Sequence, residues 1–348
     1  MKRTLSITGA TIALAAAIAG PGIAPTAAAD ASPAAPSATT GRGPVTVDQC
    51  TGETRDRTTT YDTIPERIFT TDPQSAEFLI AMGLGDRIVA TWGMYPEEIL
   101  ATLPEYADAL RKIPVVGDDT TWPPTLEIIA AAKPDILVTT YRLNIPGYLD
   151  STRLQQDMGI ASYTFLANCT GGVMRTFDPL FEDVRNLGAI FDVPDAAEAL
   201  VGGMQAQLDE AAALTAGKEP VPVWEYAGEQ VPYPVGGTGI PNAVMTLAGA
   251  KNVFEDVPAV YGEVSWEQVI ARNPAVIWLQ TDAGPGFIQA QDGLTAAVES
   301  NAGLAAVDGV ANKAYVVVPY TTGGTLSVHN AEAVLDFATK LQAVTPAP

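Results

Sequence analysis

From Val45 onward, the hydrophobic and polar positions of the chain alternate between two periods. Short β-branched runs at residues 67–71 and 88–91 read as strands. Between them, residues 75–82 place apolar side chains at helical spacing and stop at Gly83. Residues 125–132 form another helical pattern, broken by Pro134, and residues 136–140 follow as a continuous apolar strand. A helix over 148–158 and a strand over 162–166 complete this unit. Strands alternating with helices imply a mainly parallel sheet covered on both faces.

The pattern then changes. No strand is predicted between Pro179 and Ala213: Leu180, Val184 and Leu187 share one helical face, and Pro194 opens a second helix with Leu200, Met204 and Leu208 spaced by four. After a turn at 217–220, strand and helix alternate again, with strands over 221–226, 275–279 and 315–318 and a closing helix over 332–342. The expected organisation is an N-terminal ligand-binding lobe over 45–175, a helical connector over 176–217 and a C-terminal ligand-binding lobe over 218–344. The fold class is α/β, with two Rossmann-like lobes.

One segment occurs twice. Thr125-Leu-Glu-Ile-Ile-Ala-Ala-Ala-Lys-Pro aligns with Ser265-Trp-Glu-Gln-Val-Ile-Ala-Arg-Asn-Pro. Each copy opens on a hydroxyl residue suited to capping a helix, carries a glutamate two positions later, and ends at a proline that leads into a strand. A first-turn anion is stabilised by the helix dipole by about 0.3–1 kcal/mol, which accounts for Glu127 or Glu267 taken alone. It accounts less well for the same choice in both halves, so a paired surface role is expected.

Composition adds limits. The first 29 residues join a basic start at Lys2 and Arg3 to an apolar run over 12–19 and small residues at Ala27-Ala28-Ala29. They read as a secretory signal cut near Ala29, with an apolar run too short for the roughly 20 residues of a bilayer span. Residues 30–44, rich in Ala, Ser, Pro and Thr, read as a disordered tether. The chain of 348 residues carries a net charge of −21, and removal of the signal makes it more negative still. Such a surface repels phosphate backbones and argues against nucleic-acid partners. Its two cysteines, Cys50 and Cys169, are expected to form a disulfide in an oxidising compartment. Closing so long a loop contributes roughly 4–5 kcal/mol on a chain-entropy basis. The rival readings are free thiols or metal ligands, and with one histidine, His329, a Cys/His cage has too few members.

The repeat, together with Pro65-Glu-Arg-Ile, Ala81-Met-Gly-Leu-Gly-Asp-Arg-Ile-Val, the connector pattern and Ala248-Gly-Ala-Lys-Asn-Val-Phe, resembles the iron-siderophore/cobalamin family of ABC-transporter substrate-binding proteins. The resemblance covers most of the chain after the tether. It implies a class III periplasmic-binding-protein fold, a rigid helical connector with small closure, and docking of Glu127 and Glu267 into arginine pockets of an ABC permease dimer. One feature departs from the family pattern. The lipid-anchoring cysteine usual in Gram-positive members is missing after the apolar run, and Cys50 lies too far downstream to serve. The protein is expected to be exported, extracellular or periplasmic, and monomeric.

Ligand contacts are expected beyond the carboxyl ends of the parallel strands. In the first lobe these are Trp92, Tyr95, Trp122, Tyr141 and Arg142; in the second they are Trp224, Tyr226, Tyr233, Gln280 and Tyr320. Aromatic residues there would wrap a bulky, partly apolar ligand, or instead seal the lobe interface. Arg142 would hold hydroxamate, carboxylate or phosphate oxygens, or else lie in a surface ion pair. The scarcity of cations favours a ferric siderophore of hydroxamate type over an anionic tris-catecholate, with cobalamin or haem as the alternatives. No cofactor beyond the transported ligand is implied. A direct transition-metal binder would need several His or carboxylate ligands from both lobes, and the single histidine argues against it. Neither a G-x-S-x-G elbow nor a Walker lysine is present, so an enzyme is not expected, and a carboxylate-based hydrolase is the remaining rival.

Overall fold

The computed structural model describes residues 43–50, 55–117, 123–141, 149–168, 172–228, 230–282 and 290–344. The expected signal segment and nearly all of the expected tether lie outside the described residues. An antiparallel hairpin of β1 (Val45–Cys50) and β2 (Arg55–Tyr61) begins the described chain. Five parallel strands follow: β3 (Ile68–Thr70), β4 (Ile88–Trp92), β5 (Val115–Val116), β6 (Ile136–Thr139) and β7 (Ala161–Thr164). Their spatial order is β5-β4-β3-β6-β7. The second half contributes β8 (Val221–Tyr226), β9 (Ala250–Asn252), β10 (Val276–Leu279) and β11 (Tyr315–Val317), all parallel in the order β11-β10-β8-β9. In both sheets the strand order reverses beside the first strand formed, at β3 and at β8. Such reversals open the crevice in which α/β proteins bind ligands.

The strands are apolar on both faces because both faces are covered. Ile136 and Val138 of β6 point into a central core, whereas Leu137 between them joins an outer one. In β10, Val276 and Trp278 face the centre, and Ile277 and Leu279 face outward. The central core crosses the whole body. It includes Phe78 and Phe165 beside the first sheet, Leu180 and Leu187 of the connector, and Trp278 and Phe337 beside the second.

The connector consists of helices Asp178–Ile190 and Pro194–Thr215, as the apolar spacing predicted. A Cβ on Gly188 would lie 2.4 Å from the Ala197 methyl, so glycine is what lets the two helices meet this closely. Asp183 fastens the first helix to the end of the first sheet. Its carboxylate accepts from the Tyr163 hydroxyl at 2.6 Å and from the Leu166 and Ala167 amides at 2.6 and 2.9 Å. On the other side, the segment entering this helix is tied to the second half. Met174 N–H donates to Gly237, the Asn242 amide donates to Met174, and Arg175 forms a two-pronged ion pair with Glu255.

The repeated helices are Leu126–Ala132 and Trp266–Arg272, capped by the Thr125 and Ser265 hydroxyls. Each ends two residues before its proline, and the intervening cap residue, Lys133 (φ 50°) or Asn273 (φ 41°), turns left-handed. Proline bars the residue before it from the α region, so the helix stops at that residue and not at the proline itself. The β1–β2 hairpin was not legible in the sequence, because Arg-Asp-Arg-Thr-Thr-Thr-Tyr offers no apolar alternation. The hairpin lies along edge strand β7, where Gln49 and Tyr61 side chains both donate to the Ser162 carbonyl, at 2.9 and 2.7 Å. The fold thereby covers an exposed strand edge. Cys50 is buried and no described cysteine is free; Cys169 lies outside the described residues.

Burial pushes the Asp183 carboxyl up to about 7, against the pull of its three donors. The folded protein therefore holds this proton more tightly than the unfolded chain. The resulting stabilisation is complete below the unfolded value of about 4 and is lost as pH rises through about 7. Asp183→Asn cannot ionise. Its deficit relative to wild type should be largest near pH 3.5 and shrink by up to roughly 4 kcal/mol by pH 7.5 in denaturant titrations. A pH-independent deficit would mean that folding leaves the acidity of Asp183 unchanged.

Candidate functional site

The carboxyl ends of the two sheets converge on a cavity of about 190 Å³. Thr140, Tyr141 and Asn168 line it from the first half; the second half supplies Ile240, Pro241, Val260, Tyr261, Tyr320 and the segment 324–326. No charged side chain is among these described lining residues.

The first-half wall is organised by Asp72, which follows β3 and caps the helix Pro73–Ala81. Its buried carboxylate accepts from the Ser75 amide at 2.7 Å, the Thr71 hydroxyl at 2.8 Å and the Thr140 amide at 3.2 Å. The Thr71 hydroxyl also lies 2.5 Å from that of Thr139, which in turn accepts from the Tyr141 amide at 3.0 Å. One acid thus fixes the ends of β3 and β6 together and sets Tyr141 on the rim, 39% exposed.

Beneath the rim, Glu77 and Tyr95 are buried, with a weak side-chain hydrogen bond between the Tyr95 hydroxyl and the Glu77 carboxyl. Burial pushes the Glu77 carboxyl well above its ordinary range, and the nearby Asp72 charge adds to the effect. The Tyr95 phenol is raised by burial first, then by Glu77, Asp72, Tyr141 and Tyr320.

The second-half wall is also preassembled. The Gln280 amide donates to the Tyr261 hydroxyl at 3.1 Å, which donates to the Gly324 carbonyl at 2.5 Å. A Cβ on Gly324 would lie 2.6 Å from Gln280 Nε2 and 2.7 Å from the Tyr320 ring, so only glycine lets these groups close. Tyr320 begins a π-helical turn, Tyr320–Gly324, and burial pushes its phenol up. Tyr233, 47% exposed, stacks on Tyr261 with ring centroids 6.5 Å apart and planes at 9°.

The structure brings Tyr141 and Tyr320 to the cavity, with Gln280 and Tyr233 against the Tyr261 that lines it. It does not bring Trp92, Trp224 or Tyr226 there. Trp92 belongs to the outer core of the first sheet; Trp224, fully enclosed, and Tyr226 belong to that of the second, packed against Trp266. Strand parity is the reason: Val223 faces the centre, so Trp224 and Tyr226 lean to the outer layer. Trp122 and Arg142 lie outside the described residues. Asn168, Tyr261 and Pro241 were not foreseen. Tyr261 follows no strand, so the strand-end rule passes over it, whereas the helix start at Ile240–Leu247, with its early proline, was a usable signal.

Glu127 and Glu267 are exposed in the first turns of their helices and do not line the cavity. Each carboxyl is held below its usual range, first by its own backbone amide and then by the capping hydroxyl. Glu267 borders a surface groove of about 410 Å³ with Glu263, Trp266 and Val231; Glu127 has Arg153 nearby. His329 is buried, with Nδ1 3.3 Å from Glu332 and its ring edge-on to Tyr106 of the first half. No described helix is long and apolar enough to cross a membrane.

The family model described as periplasmic binding protein matches residues 68–320. The chain is 27% identical over 218 residues to a vitamin B12-binding protein of Vibrio campbellii, covering 63% of this chain and 72% of that one. Among solved structures, it is similar to a periplasmic binding protein from Veillonella parvula, with TM-score 0.72, 19% identity and coverage of 88% and 100%. It is also similar to an ABC-type Fe3+-hydroxamate transport system from Saccharomonospora viridis, with TM-score 0.68, 24% identity and coverage of 85% and 98%.

Core and cavity tyrosine or tryptophan positions should separate on substitution. Trp224→Ala is expected to cost about 3–5 kcal/mol in unfolding free energy, while Tyr141→Ala changes it by less than about 0.5 kcal/mol. Comparable losses in thermal and denaturant unfolding would contradict the placement of these two side chains.

Proposed function

The chain belongs to the periplasmic binding protein family of ABC-importer substrate-binding proteins, and from that premise we propose that it carries a ferric siderophore of hydroxamate type between its two lobes. The lining of the cavity is the observation behind this reading. Tyrosines from both halves stand among Ile240, Pro241, Val260 and Leu326, with no charged side chain among the described lining residues. Such walls favour a bulky, nearly neutral chelate whose apolar arms pack on rings while hydroxyls and amides fix its oxygens. A multiply anionic chelate would lose its hydration there without a matching cation. Cobalamin is the second reading, and the likeness to a vitamin B12-binding protein supports it.

In this reading, residues 45–175 and 218–344 form the two lobes and 176–217 the connector. Closure on ligand is small, because the central core continues through the connector. Glu127 and Glu267 face the two subunits of the permease; their exposure and their matched helix caps support that role. Residues 1–29 direct export. A Cys50–Cys169 disulfide anchors the start of the fold, consistent with the place of Cys50 beside the Phe165 carbonyl, 3.7 Å away.

Titration with a ferric trihydroxamate, cobalamin and haem, followed by intrinsic fluorescence, tests the ligand. Saturable quenching by the trihydroxamate at the lowest concentration is expected; tighter binding of cobalamin or haem would reassign the site. For docking, Glu127→Ala combined with Glu267→Ala should leave that affinity unchanged and abolish uptake in cells. Normal uptake by the double variant would remove the paired-glutamate role.

A further inference from the structure

We propose that Asn168 donates its side-chain amide to an oxygen of the bound chelate, and that the Val45–Tyr61 hairpin is the brace that holds it there. This deepens the reading of the cleft as a chelate site and rests on it. Asn168 lines the cavity from the first half, at the end of the short turn Leu166–Asn168 that follows β7. Every backbone amide leading to it is fastened. Thr164 N–H donates to Gln49 Oε1 at 3.4 Å, and Phe165 N–H to the Thr139 carbonyl at 3.3 Å. Asp183 takes the Leu166 and Ala167 amides, and Asn168 N–H donates to the Phe165 carbonyl at 3.2 Å. The Asn168 side chain, by contrast, has no hydrogen-bond partner among the described residues.

An unspent polar side chain on an immobilised backbone is prepared for a ligand, because folding has already met the cost of ordering it. Among the described lining residues Asn168 is the one with a side-chain N–H, and the Tyr261 hydroxyl directs its proton to the Gly324 carbonyl. The outer face of a ferric trihydroxamate offers oxygen acceptors that share the charge of the deprotonated hydroxamates, so it needs donors. Between apolar and aromatic walls, water competes poorly for such a bond. The brace approaches from the sheet edge. Gln49, fully buried, donates to the Ser162 carbonyl at 2.9 Å and to the Tyr61 hydroxyl at 2.6 Å, while Tyr61 donates to the same carbonyl at 2.7 Å. Both strands of the hairpin therefore meet at one peptide of β7, and Gln49 reaches on to Thr164 at the end nearest the cavity. Asp183 holds the turn from the connector side. Asn168 is the point at which these two fastenings reach the ligand wall.

Fluorescence titration of the whole mature protein with a linear ferric trihydroxamate tests the contact and the brace together. Asn168→Ala should weaken binding about tenfold. Asn168→Asp, which puts a charged oxygen in place of the donor nitrogen at nearly constant shape, should weaken it further. Thermal unfolding of both variants without ligand should match wild type, since the side chain has no bond within the protein to lose. Gln49→Leu should weaken binding several-fold, and this loss should vanish in the Asn168→Ala background, because the brace acts through that side chain. Should Gln49→Leu fail to fold, Tyr61→Phe, which removes one hydroxyl from the same network, should show the same dependence. Wild-type affinity in either Asn168 variant would overturn the contact while leaving the chelate reading intact. An equal loss from the brace variant in both backgrounds would overturn the brace. If the wild-type protein binds no ferric trihydroxamate, the chelate reading falls and takes this inference with it.

Discussion

The hydrophobic core that runs unbroken from the first sheet, through the connector, into the second is the constraint on which the rest of the molecule depends. Side chains at native packing density do not slide freely past each other. Two sheets sharing one packed interior cannot swing apart as two sheets joined by extended strands can. Asp183 and the Arg175–Glu255 pair act at the two ends of this arrangement, the first on the sheet side and the second on the far side. The cavity lies between the carboxyl ends of the strands, in walls that this shared interior supports.

Much of the architecture was legible because period carries the signal. Leu180, Val184 and Leu187 were placed on one helical face by spacing alone, and all three are fully buried. The doubled Thr/Ser–x–Glu helix start was legible for a similar reason, since capping chemistry is local and leaves its mark within four residues. Side-chain direction at strand ends was not legible. A shift of one residue along a strand reverses its face, and β8 carries apolar residues at both parities, Val221 and Val223 on one and Pro222, Trp224 and Tyr226 on the other. Tyr226 and Trp224 therefore looked equally suited to the cleft and to the outer layer. Tyr261 was invisible for another reason. Its position depends on Gln280 and Gly324, residues far along the chain, and no local pattern encodes such a meeting.

The charge of the molecule is distributed against expectation from its total. The surface is strongly acidic, yet the described cavity lining is uncharged. The acids that matter to the cavity stand one layer back, buried, and hydrogen-bonded unequally. Asp72 is satisfied by three donors, so it doubles as a structural pin, while Glu77 has only a weak bond with the Tyr95 hydroxyl.

The separate outer cores have a further consequence, for local unfolding. Each sheet carries a private hydrophobic layer, Phe69, Leu137 and Leu154 on the first and Val269, Ile277 and Leu294 on the second, which does not merge with the central one. Layers of this kind can open as independent cooperative units. The helices that bear Glu127 and Glu267 rest on these outer layers through Ile129 and Val269. Amide protons there are therefore expected to exchange with solvent sooner than those of the connector, so that the face turned outward can loosen while the ligand cleft keeps its form.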